Sequence, residues 1–321
     1  MMDTNTGQSY YRKIVCSHYL CRMVMITVVI CTYNHDDLLA ISLKSLSCQS
    51  LSPEHFRVLV VDNAGLESTR QVADHYEADY VWEKNVGHSH ARNRGCSEAD
   101  SPWILFLDDD IKAPANLLEQ FYRRFKVADY AALGGAVRPW FRVPPPPWLL
   151  KYFGHTKYPS SIGDLGPLRQ GQYLIGCLMA VRKSSWQAIG GFSDAVGMKG
   201  EMVGRADDDE FQHRLREAGY MVYYDPEIAI DHLIRPYKYR IRGLLKLAYA
   251  SGRDGVGLPG NPILGISGFL QQMAIILFYS IPFNIARLLF KRGYFWQNAV
   301  VDSLTKIWLA WGQFYPHRRK A

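Results

Sequence analysis

The sequence contains few cysteines, and none of them show the spacings that mark a disulfide framework or a zinc site. Its 321 residues include six cysteines, and no two of these form a C-x-x-C pair. We therefore expect reduced thiols in a protein that faces the cytoplasm. Residues 1–22 lack the apolar core of a signal peptide, so we interpret them as a flexible N-terminal extension.

Patterns typical of nucleic-acid-binding modules are also missing, although the chain carries a formal net charge of +7. No RRM, KH or zinc-finger pattern occurs, so we predict that nucleic acid is not a partner. The excess of positive charge favours nucleotide phosphates or anionic lipid instead. Hydrophobic residues make up 48% of the chain and charged residues 21%, which is typical of a globular protein rather than a disordered one.

Strand and helix patterns alternate along the chain from residue 23 to residue 110. Short β-branched runs such as "MITVVIC" and "FRVLVVD" predict buried strands, and segments with helical spacing of apolar residues lie between them. Strands separated by helices indicate βαβ units. We therefore predict an α/β fold with a mostly parallel sheet flanked by helices, in which ligands bind beyond the carboxyl ends of the strands.

Polar side chains follow three of these predicted strands. Thr32 and Asn34 follow the first, Asp62 ends the second, and Asp108 to Asp110 end the fourth in "FLDDDI". Neighbouring carboxylates repel each other, and burial strengthens that repulsion. A divalent cation with oxygen ligands would remove the conflict. A solvated loop is the alternative for three acids alone, but polar residues at three strand ends favour a binding site.

A second acidic cluster, Asp207 to Glu210, opens a helix that we predict from Asp207 to Ala218. Acidic residues in the first turn of a helix are favoured by the helix dipole, which accounts for one or two of the four. Two acidic clusters in one α/β chain suggest that one of them holds a metal and the other handles a proton.

Taken together, these segments resemble family 2 glycosyltransferases of the GT-A fold. The family's order is followed by "VVICTYN", "VLVVDNAG", "NVGHSHARNRG", "FLDDDI", "GGFSD" and "DDDEFQHRLREAGYMVYYDPE…DH". The resemblance implies a GT-A domain over residues 23–234 with a Rossmann-like sheet. It also implies an inverting transferase that moves a sugar from a nucleotide-diphosphate sugar, with UDP favoured, to a hydroxyl of a glycan or lipid-linked acceptor.

The resemblance further implies roles for individual residues. Asp208 would be the general base, and Asp207 would take the place of the family's usual glutamate beside it. Asp108, Asp110 and His232 would hold a divalent metal, Mn²⁺ or Mg²⁺. The residues implied for nucleotide binding are Thr32, Asn34, Asp62, Asn85, Arg92 and Asp108. The residues implied for the acceptor region are Gly190 and Gly191.

The C-terminal region, residues 235–321, is predicted to be helical, basic and apolar. No ionised side chain occurs between Asp254 and Arg287, and about 20 apolar residues suffice to cross a bilayer. Prolines, glycines and amides interrupt this run, and basic residues flank both of its ends. Attachment to the membrane surface (peripheral or re-entrant), a single span and a subdomain packed on the catalytic core remain alternatives. We expect the protein at the cytoplasmic face of a membrane.

Two other functions fit parts of the pattern. A HAD-type phosphatase also places a D-x-D after a strand, but that strand is the first one and Thr or Val stands two residues beyond the second acid. Here the strand is the fourth and Lys112 occupies that position. A non-catalytic membrane-bound binding protein with a transferase fold is the other alternative, and the intact acids argue against it.

Overall fold

The computed structural model describes residues 24–154, 166–200 and 202–314. The N-terminal extension predicted for residues 1–22 lies outside the described residues. The described chain forms one curled sheet with helices on both faces, followed by a layer of helices only.

The first half of the described chain alternates strands and helices as the sequence predicts. The strands are β1 Ile26–Thr32, β2 Phe56–Asp62, β3 Asp79–Trp82 and β4 Trp103–Asp108. The helices between them are α1 Asp36–Leu46, α2 Glu67–His75 and α3 His88–Glu98. All four strands are parallel, in the order β3-β2-β1-β4. Their carboxyl ends therefore meet at one edge of the sheet.

The second half completes the sheet. Its strands are β5 Ile111–Lys112, β6 Ala132–Trp140, β7 Gly166–Pro167, β8 Leu178–Arg182 and β9 Val222–Leu233. Its helices are α4 Leu117–Val127, α5 Leu150–Phe153, α6 Lys183–Ala188 and α7 Asp207–Glu217. The strand order is β3-β2-β1-β4-β8-β6-β9-β5, and β7 pairs with β9. Because β8 is antiparallel to both β4 and β6, and β9 is parallel to β6, most strands share the direction of β4. This confirms the predicted α/β class and mostly parallel sheet.

Strand β1 shows why its sequence is apolar at nearly every position. Val28 and Ile30 face a core cluster that includes Leu39 of α1, and Val29 faces a second cluster that includes Ala91 of α3. A strand covered by helices on both faces buries all of its side chains, so it reads as a continuous apolar run rather than an alternating one.

A short antiparallel pairing joins two distant parts of the chain at the edge of the sheet. β5 has only two residues, and it places Ile111 opposite His232 of β9. Ser42 of α1 fixes this turn, because its hydroxyl accepts a hydrogen bond from the Ile111 amide at 3.0 Å. The pairing brings the acidic run that ends at Asp110 next to the carboxyl end of β9.

The C-terminal layer consists of α8 Ile241–Asp254, α9 Ile266–Ile275, α10 Ile281–Phe290 and α11 Trp296–Phe314. A π-helical turn, Ile276–Ser280, joins α9 to α10 just before Pro282, so that residues 266–290 form one continuous helix. We call it the apolar helix. Among the described residues it alone is long and apolar enough to cross a membrane, with a mean hydropathy of 1.8 over a window of which 17% is buried.

The apolar helix buries two of its polar side chains, Ser280 and Asn284, whereas Ser267, Gln271 and Gln272 near its start are exposed. Asn284 donates a hydrogen bond to Ser303 of α11 at 3.0 Å, and Lys306 of α11 donates to Ser280 at 2.9 Å. By contrast, Phe278 is 78% exposed. In the second half of the helix, residues 276–290, the arrangement is therefore the reverse of the one found on surface helices of water-soluble proteins.

Helix α3 approaches β1 most closely at Gly95, and this contact predicts the effect of a substitution. A Cβ atom at Gly95 would lie 2.4 Å from Cγ1 of Val29. Overpacking of this kind costs about 1–3 kcal/mol, and the better helix propensity of alanine offsets about 1 kcal/mol of it. The difference is about 0–2 kcal/mol. Because 2.4 Å is far inside van der Waals contact with a buried strand residue, we expect Gly95→Ala to lower the free energy of unfolding by an amount in the upper half of this range, about 1–2 kcal/mol, measured by urea denaturation.

The matched control for this prediction is Ser97→Ala, on the exposed side of the same helix. We expect it to change the free energy of unfolding by less than about 0.5 kcal/mol. Equal urea midpoints for the two variants would show that α3 does not pack on β1 as described.

Candidate active site

A cavity of about 1550 Å³ opens at the carboxyl edge of the sheet and extends to the C-terminal helices. The predicted site residues that line it are Asn34, Arg92, Asp108, Asp110, Asp207, Asp208 and His232. The two acidic clusters of the sequence, one at the end of β4 and one at the start of α7, therefore face the same space.

The middle acid of the first cluster, Asp109, is buried and fully engaged. Its Oδ2 accepts a hydrogen bond from Thr32 at 2.8 Å and lies 3.3 Å from Nδ1 of His35. Its Oδ1 accepts a hydrogen bond from Arg235 at 2.7 Å. Thr32, which the sequence predicts beside the nucleotide, thus holds the acidic turn in place through its hydrogen bond to Asp109.

The third acid, Asp110, lies between two basic side chains. Arg235 donates to its Oδ2 at 2.6 Å, and Nε2 of His232 lies 3.0 Å from its Oδ1. Burial opposes ionisation of Asp110, but the charges of His232 and Arg235 outweigh burial and lower the pKa of its carboxyl group. Asp110 therefore stays ionised at neutral pH.

Four side chains in this region can serve as metal ligands. Donor atoms of Asp108, Cys177 and His232 lie within 4.8 Å of one another. Oδ1 of Asp110 is buried beside them, and Nε2 of His232 lies 3.0 Å from it. A cation would complete the coordination of this oxygen, and carboxylate oxygens suit Mn²⁺ or Mg²⁺. Asp108, Asp110 and His232 therefore fit the divalent metal that the sequence predicts, whereas the thiol of Cys177 is too soft a ligand for it.

The first acid of the second cluster, Asp207, is an ion-pair partner. Its Oδ2 accepts a hydrogen bond from Arg92 at 3.0 Å and lies 2.8 Å from Nδ1 of His88. Burial opposes ionisation, but Arg92 and His88 outweigh it, so the pKa of Asp207 is lowered. Arg92 is itself buried, with its guanidinium 5.5 Å from the ring centre of Phe106.

The next two acids, Asp208 and Asp209, have the opposite electrostatics. The Gly176 amide donates to Oδ2 of Asp208 at 2.7 Å, but burial and then the charge of Asp207 raise the pKa of Asp208. Burial and the charge of Asp208 raise the pKa of Asp209 to about 8. Two adjacent acids on one helical turn thus differ in proton affinity: Asp207 is ion-paired and has a lowered pKa, whereas Asp208 has a raised pKa and is the better proton acceptor.

Backbone strain marks both sides of the cavity. Asn34 has φ 57° at the end of β1, and Ala206 has φ 70° directly before α7. Alanine rarely adopts this left-handed conformation, and strained residues of this kind concentrate at functional sites. The strain at Ala206 sets the direction in which α7 begins and presents its acids to the cavity.

Two other predicted nucleotide-binding residues, Asp62 and Asn85, are not part of the cavity lining among the described residues. Asp62 is fully buried, and its carboxylate accepts hydrogen bonds from the Ala64 and Leu66 amides, both at 2.8 Å, and from Tyr80. Asn85 is exposed, and its backbone amide donates a hydrogen bond to the carboxylate of Glu83 at 2.7 Å. Both residues shape the loops that follow β2 and β3.

The predicted acceptor-region glycines, Gly190 and Gly191, also lie outside the lining of the cavity among the described residues. Their φ angles are 76° and 78°, so they form the turn after α6. A Cβ atom at Gly191 would lie 2.7 Å from Oδ1 of Asn93. In this structure the pair provides a tight turn that lets α6 approach α3.

Several residues of the site were not assigned to it from the sequence. Arg235 lies three residues after His232, at the start of the basic C-terminal region, and no motif marks it as a site residue. His88 contacts Asp207, and its position in the sequence does not indicate this contact. Cys177 lacked any metal-ligand spacing, because its neighbours Asp108 and His232 are far away in the sequence.

A family model for glycosyl transferase family 2 matches residues 27–190, just over half of the chain. A validoxylamine A glucosyltransferase from Streptomyces hygroscopicus subsp. limoneus is 38% identical over 95 residues, covering 28% of this chain and 21% of that protein. The uncharacterized glycosyltransferase YwdF of Bacillus subtilis is 36% identical over 109 residues, covering 33% of this chain and 40% of that protein. The matched part thus spans about a fifth to two fifths of these relatives.

Solved structures with similar folds include the mannosyltransferase PcManGT from Pyrobaculum calidifontis, in complex with GDP-Man and Mn²⁺. It is 20% identical with a TM-score of 0.55, over 89% of this chain and 88% of that one. S. aureus TarS is 14% identical with a TM-score of 0.51, over 84% of this chain and 44% of that one. These likenesses confirm the predicted GT-A-type fold. The family match and the fold together establish that this chain belongs to glycosyl transferase family 2.

Proposed function

We propose that this chain is an inverting glycosyltransferase that moves a sugar from a nucleotide-diphosphate sugar to an acceptor hydroxyl. The observation that carries the proposal is the division of charge within one cavity. An acidic turn with a metal-compatible donor set faces a helix whose adjacent acids differ in proton affinity. Metal-assisted departure of a diphosphate and removal of a proton from an acceptor hydroxyl need these two functions.

The donor would bind at the acidic turn. Asp108, Asp110 and His232 would hold Mn²⁺ or Mg²⁺, which when bound neutralises the charge that develops on the leaving diphosphate. Asn34 and Asp108 line the cavity and can contact the nucleotide. Thr32, Asp62 and Asn85 would act by holding the loops at the strand ends in place. UDP is the first nucleotide to test, and GDP and TDP follow.

Asp208 would act as the general base. The acceptor oxygen attacks the anomeric carbon as the bond from that carbon to the diphosphate breaks, and the acceptor proton passes to Asp208. A raised pKa suits this role, because a base works best when its pKa is near the operating pH. Asp207 remains ionised in its pairs with Arg92 and His88, so we assign it to positioning. Gly190 and Gly191 would support this side of the site through the turn after α6.

We further propose that the protein works at the cytoplasmic face of a membrane. The apolar helix exposes large hydrophobic side chains and buries Ser280 and Asn284 against α11, as expected for a helix in contact with lipid. Asn298 near the start of α11 donates a hydrogen bond to the Trp148 carbonyl of the catalytic domain at 2.8 Å. Since α11 lies between α8 and the apolar helix, an orientation along the membrane surface fits these contacts better than a single span.

The metal site predicts a dependence that calorimetry can measure. We expect UDP to bind the purified chain only when Mn²⁺ is present. Asp110→Asn removes one carboxylate charge from the donor set, so we expect metal-dependent UDP affinity to fall by about tenfold or more. The control Asp231→Asn changes an exposed acid on β9 that pairs with Arg138, and its affinity should match that of the wild type.

Unchanged metal-dependent binding by Asp110→Asn would contradict the assigned ligand. If the wild type binds no nucleoside diphosphate with or without metal, the donor assignment fails as a whole.

The general base predicts both a mutational loss and a pH profile. We expect Asp208→Asn to lower kcat by about 10²–10⁴-fold, measured as nucleoside diphosphate release from the donor found by screening UDP-, GDP- and TDP-sugars. The control is Glu217→Gln, an exposed acid on the same helix that pairs with His213. If the kcat of Asp208→Asn lies within threefold of the kcat of that control, a difference of roughly 0.6 kcal/mol in activation free energy, Asp208 is not the base.

The sign of the pH effect follows from the raised pKa. Asp208 accepts a proton only when it is ionised, so kcat should fall on acidification at a pH above the ordinary aspartate pKa of about 3.9. Burial and Asp207 raise the pKa of Asp208, whereas Arg92 and Arg205 act in the opposite direction. A kcat profile that stays flat down to the ordinary aspartate range would contradict this assignment.

A further inference from the structure

We propose that three cations of α8 and the residue before it, Arg240, Arg242 and Lys246, bind the phosphate group of a lipid-linked saccharide acceptor. We call these three residues the basic wall. The inference rests on the proposed function, because it names the class of acceptor whose hydroxyl would reach Asp208. It concerns a part of the cavity that the donor, the metal and the base do not use.

The cations that line the cavity separate into those beside its acids and those without a nearby counter-charge. Arg205 and Lys238 also line the cavity, and they interact electrostatically with Asp208 and Asp110. On the sheet side, Arg92 pairs with Asp207, and Arg235 pairs with Asp109 and Asp110. The basic wall lines the same cavity from the helical layer. Within residues 24–154, 166–200 and 202–314, none of its three side chains forms an ion pair.

Cations without counter-charges in one cavity repel each other, and an anionic ligand removes the repulsion. Arg242 and Lys246 lie one helical turn apart, so their side chains share a face of α8. Arg240 directly precedes this helix. Arginine and lysine are the side chains that bind phosphate oxygens, arginine through two parallel hydrogen bonds and lysine as a point charge. The arrangement therefore fits a phosphate monoester or diphosphate.

A second phosphate subsite is needed only if the acceptor itself carries phosphate. The donor diphosphate would be served by the metal at Asp108, Asp110 and His232, on the sheet side of the cavity. The basic wall belongs to a different layer of the structure, the one that begins after β9. We therefore assign it to the acceptor rather than to the donor.

Helix α11 connects the wall to the apolar helix, and this connection points to a lipid as the acceptor. Helix α11 packs against α8 on one side and against the apolar helix on the other. Trp308 of α11 lines the cavity and is also 41% exposed, and Trp311 one turn along is 46% exposed. Tryptophan side chains with this partial exposure are typical of membrane interfaces.

A lipid phosphate could thus reach the wall while its hydrocarbon chain stays in the bilayer. The apolar helix would hold the protein against the same leaflet, with Phe278, Phe283 and Phe290 in contact with lipid. The saccharide attached to the phosphate would extend into the cavity toward Asp208. Both the charge of the wall and the apolar surface beside it match a ligand that has an anionic head and an apolar tail.

Vesicle flotation of the full chain tests this proposal. Three vesicle types would be compared: phosphatidylcholine alone, phosphatidylcholine with phosphatidylglycerol, and phosphatidylcholine with a long-chain polyisoprenyl phosphate at matched surface charge. We expect the wild type to bind the polyisoprenyl phosphate vesicles most tightly. The triple variant Arg240→Gln, Arg242→Gln, Lys246→Gln should lose about tenfold or more of that affinity and keep its affinity for the other two vesicles.

Two control variants accompany the wall variant. Arg70→Gln, Arg123→Gln, Lys126→Gln removes three cations from α2 and α4, outside the cavity lining, and should bind all vesicles like the wild type. Phe278→Ser, Phe283→Ser, Phe290→Ser should weaken binding to every vesicle type. Circular dichroism would confirm that each variant is folded.

Three outcomes would overturn the proposal. The first is a wild type without preference for polyisoprenyl phosphate over phosphatidylglycerol. The second is a wall variant that loses affinity for both anionic vesicles equally, which would make the wall a general lipid-binding surface. The third is a wall variant whose Mn²⁺-dependent UDP affinity falls, which would place the wall in the donor site.

The same proteins separate this inference from the proposed function. Binding of polyisoprenyl phosphate that depends on the wall, in a chain that binds no nucleotide, would retain the lipid-phosphate site and remove the transferase assignment. Nucleotide binding without lipid preference would do the reverse.

Discussion

The structure depends on the neutralisation of buried carboxylates at the carboxyl edge of the sheet. Burying an unpaired carboxylate is costly, and removing one partner from a buried ion pair costs about 3–5 kcal/mol. Arg235 neutralises Asp109 and Asp110, and Arg92 neutralises Asp207. Each arginine belongs to a different element from its acid. The Arg235 pairs therefore join the end of β4 to the segment after β9, and the Arg92 pair joins α3 to α7.

The same electrostatics distinguishes acids that are equivalent in the sequence. Asp207, Asp208 and Asp209 follow one another, yet their side chains point in different directions from the first turn of α7. Only Asp207 reaches both Arg92 and His88. Its negative charge then raises the proton affinity of Asp208 beside it. One ion pair therefore stabilises the fold and raises the proton affinity of its neighbour.

The fold was predictable from the sequence because its evidence is local. Buried runs such as Ile26–Thr32 and helices such as Asp207–Glu217 are set by residues close together in the chain. The proposed metal ligands Asp108, Asp110 and His232 could be found through motifs. Arg235 and Cys177 could not, because the β5–β9 pairing and the start of β8 bring them to the site only in three dimensions.

The burial of Asp62 was likewise not predictable, because the bond from Tyr80 depends on the pairing of β2 with β3. The composition of a strand end indicates that polar groups gather there. It does not indicate which of them face the cavity and which hold the loops that surround it. Thr32 and Asn34 illustrate the difference, since they are two residues apart and only Asn34 lines the cavity.

The helices of the C-terminal layer present polar and charged side chains to the cavity and large apolar side chains to the outside. Helix α11 offers Ser303 and Lys306 to the polar side of the apolar helix, and it offers Trp308 to the cavity. An aqueous cavity with unpaired cations and an apolar outer surface are therefore separated by the thickness of about one helix, ~10 Å. A soluble sugar acceptor would require only the first of these surfaces. An acceptor that has an anionic head and a hydrocarbon tail requires both, and their proximity is what the helical layer adds to the transferase fold.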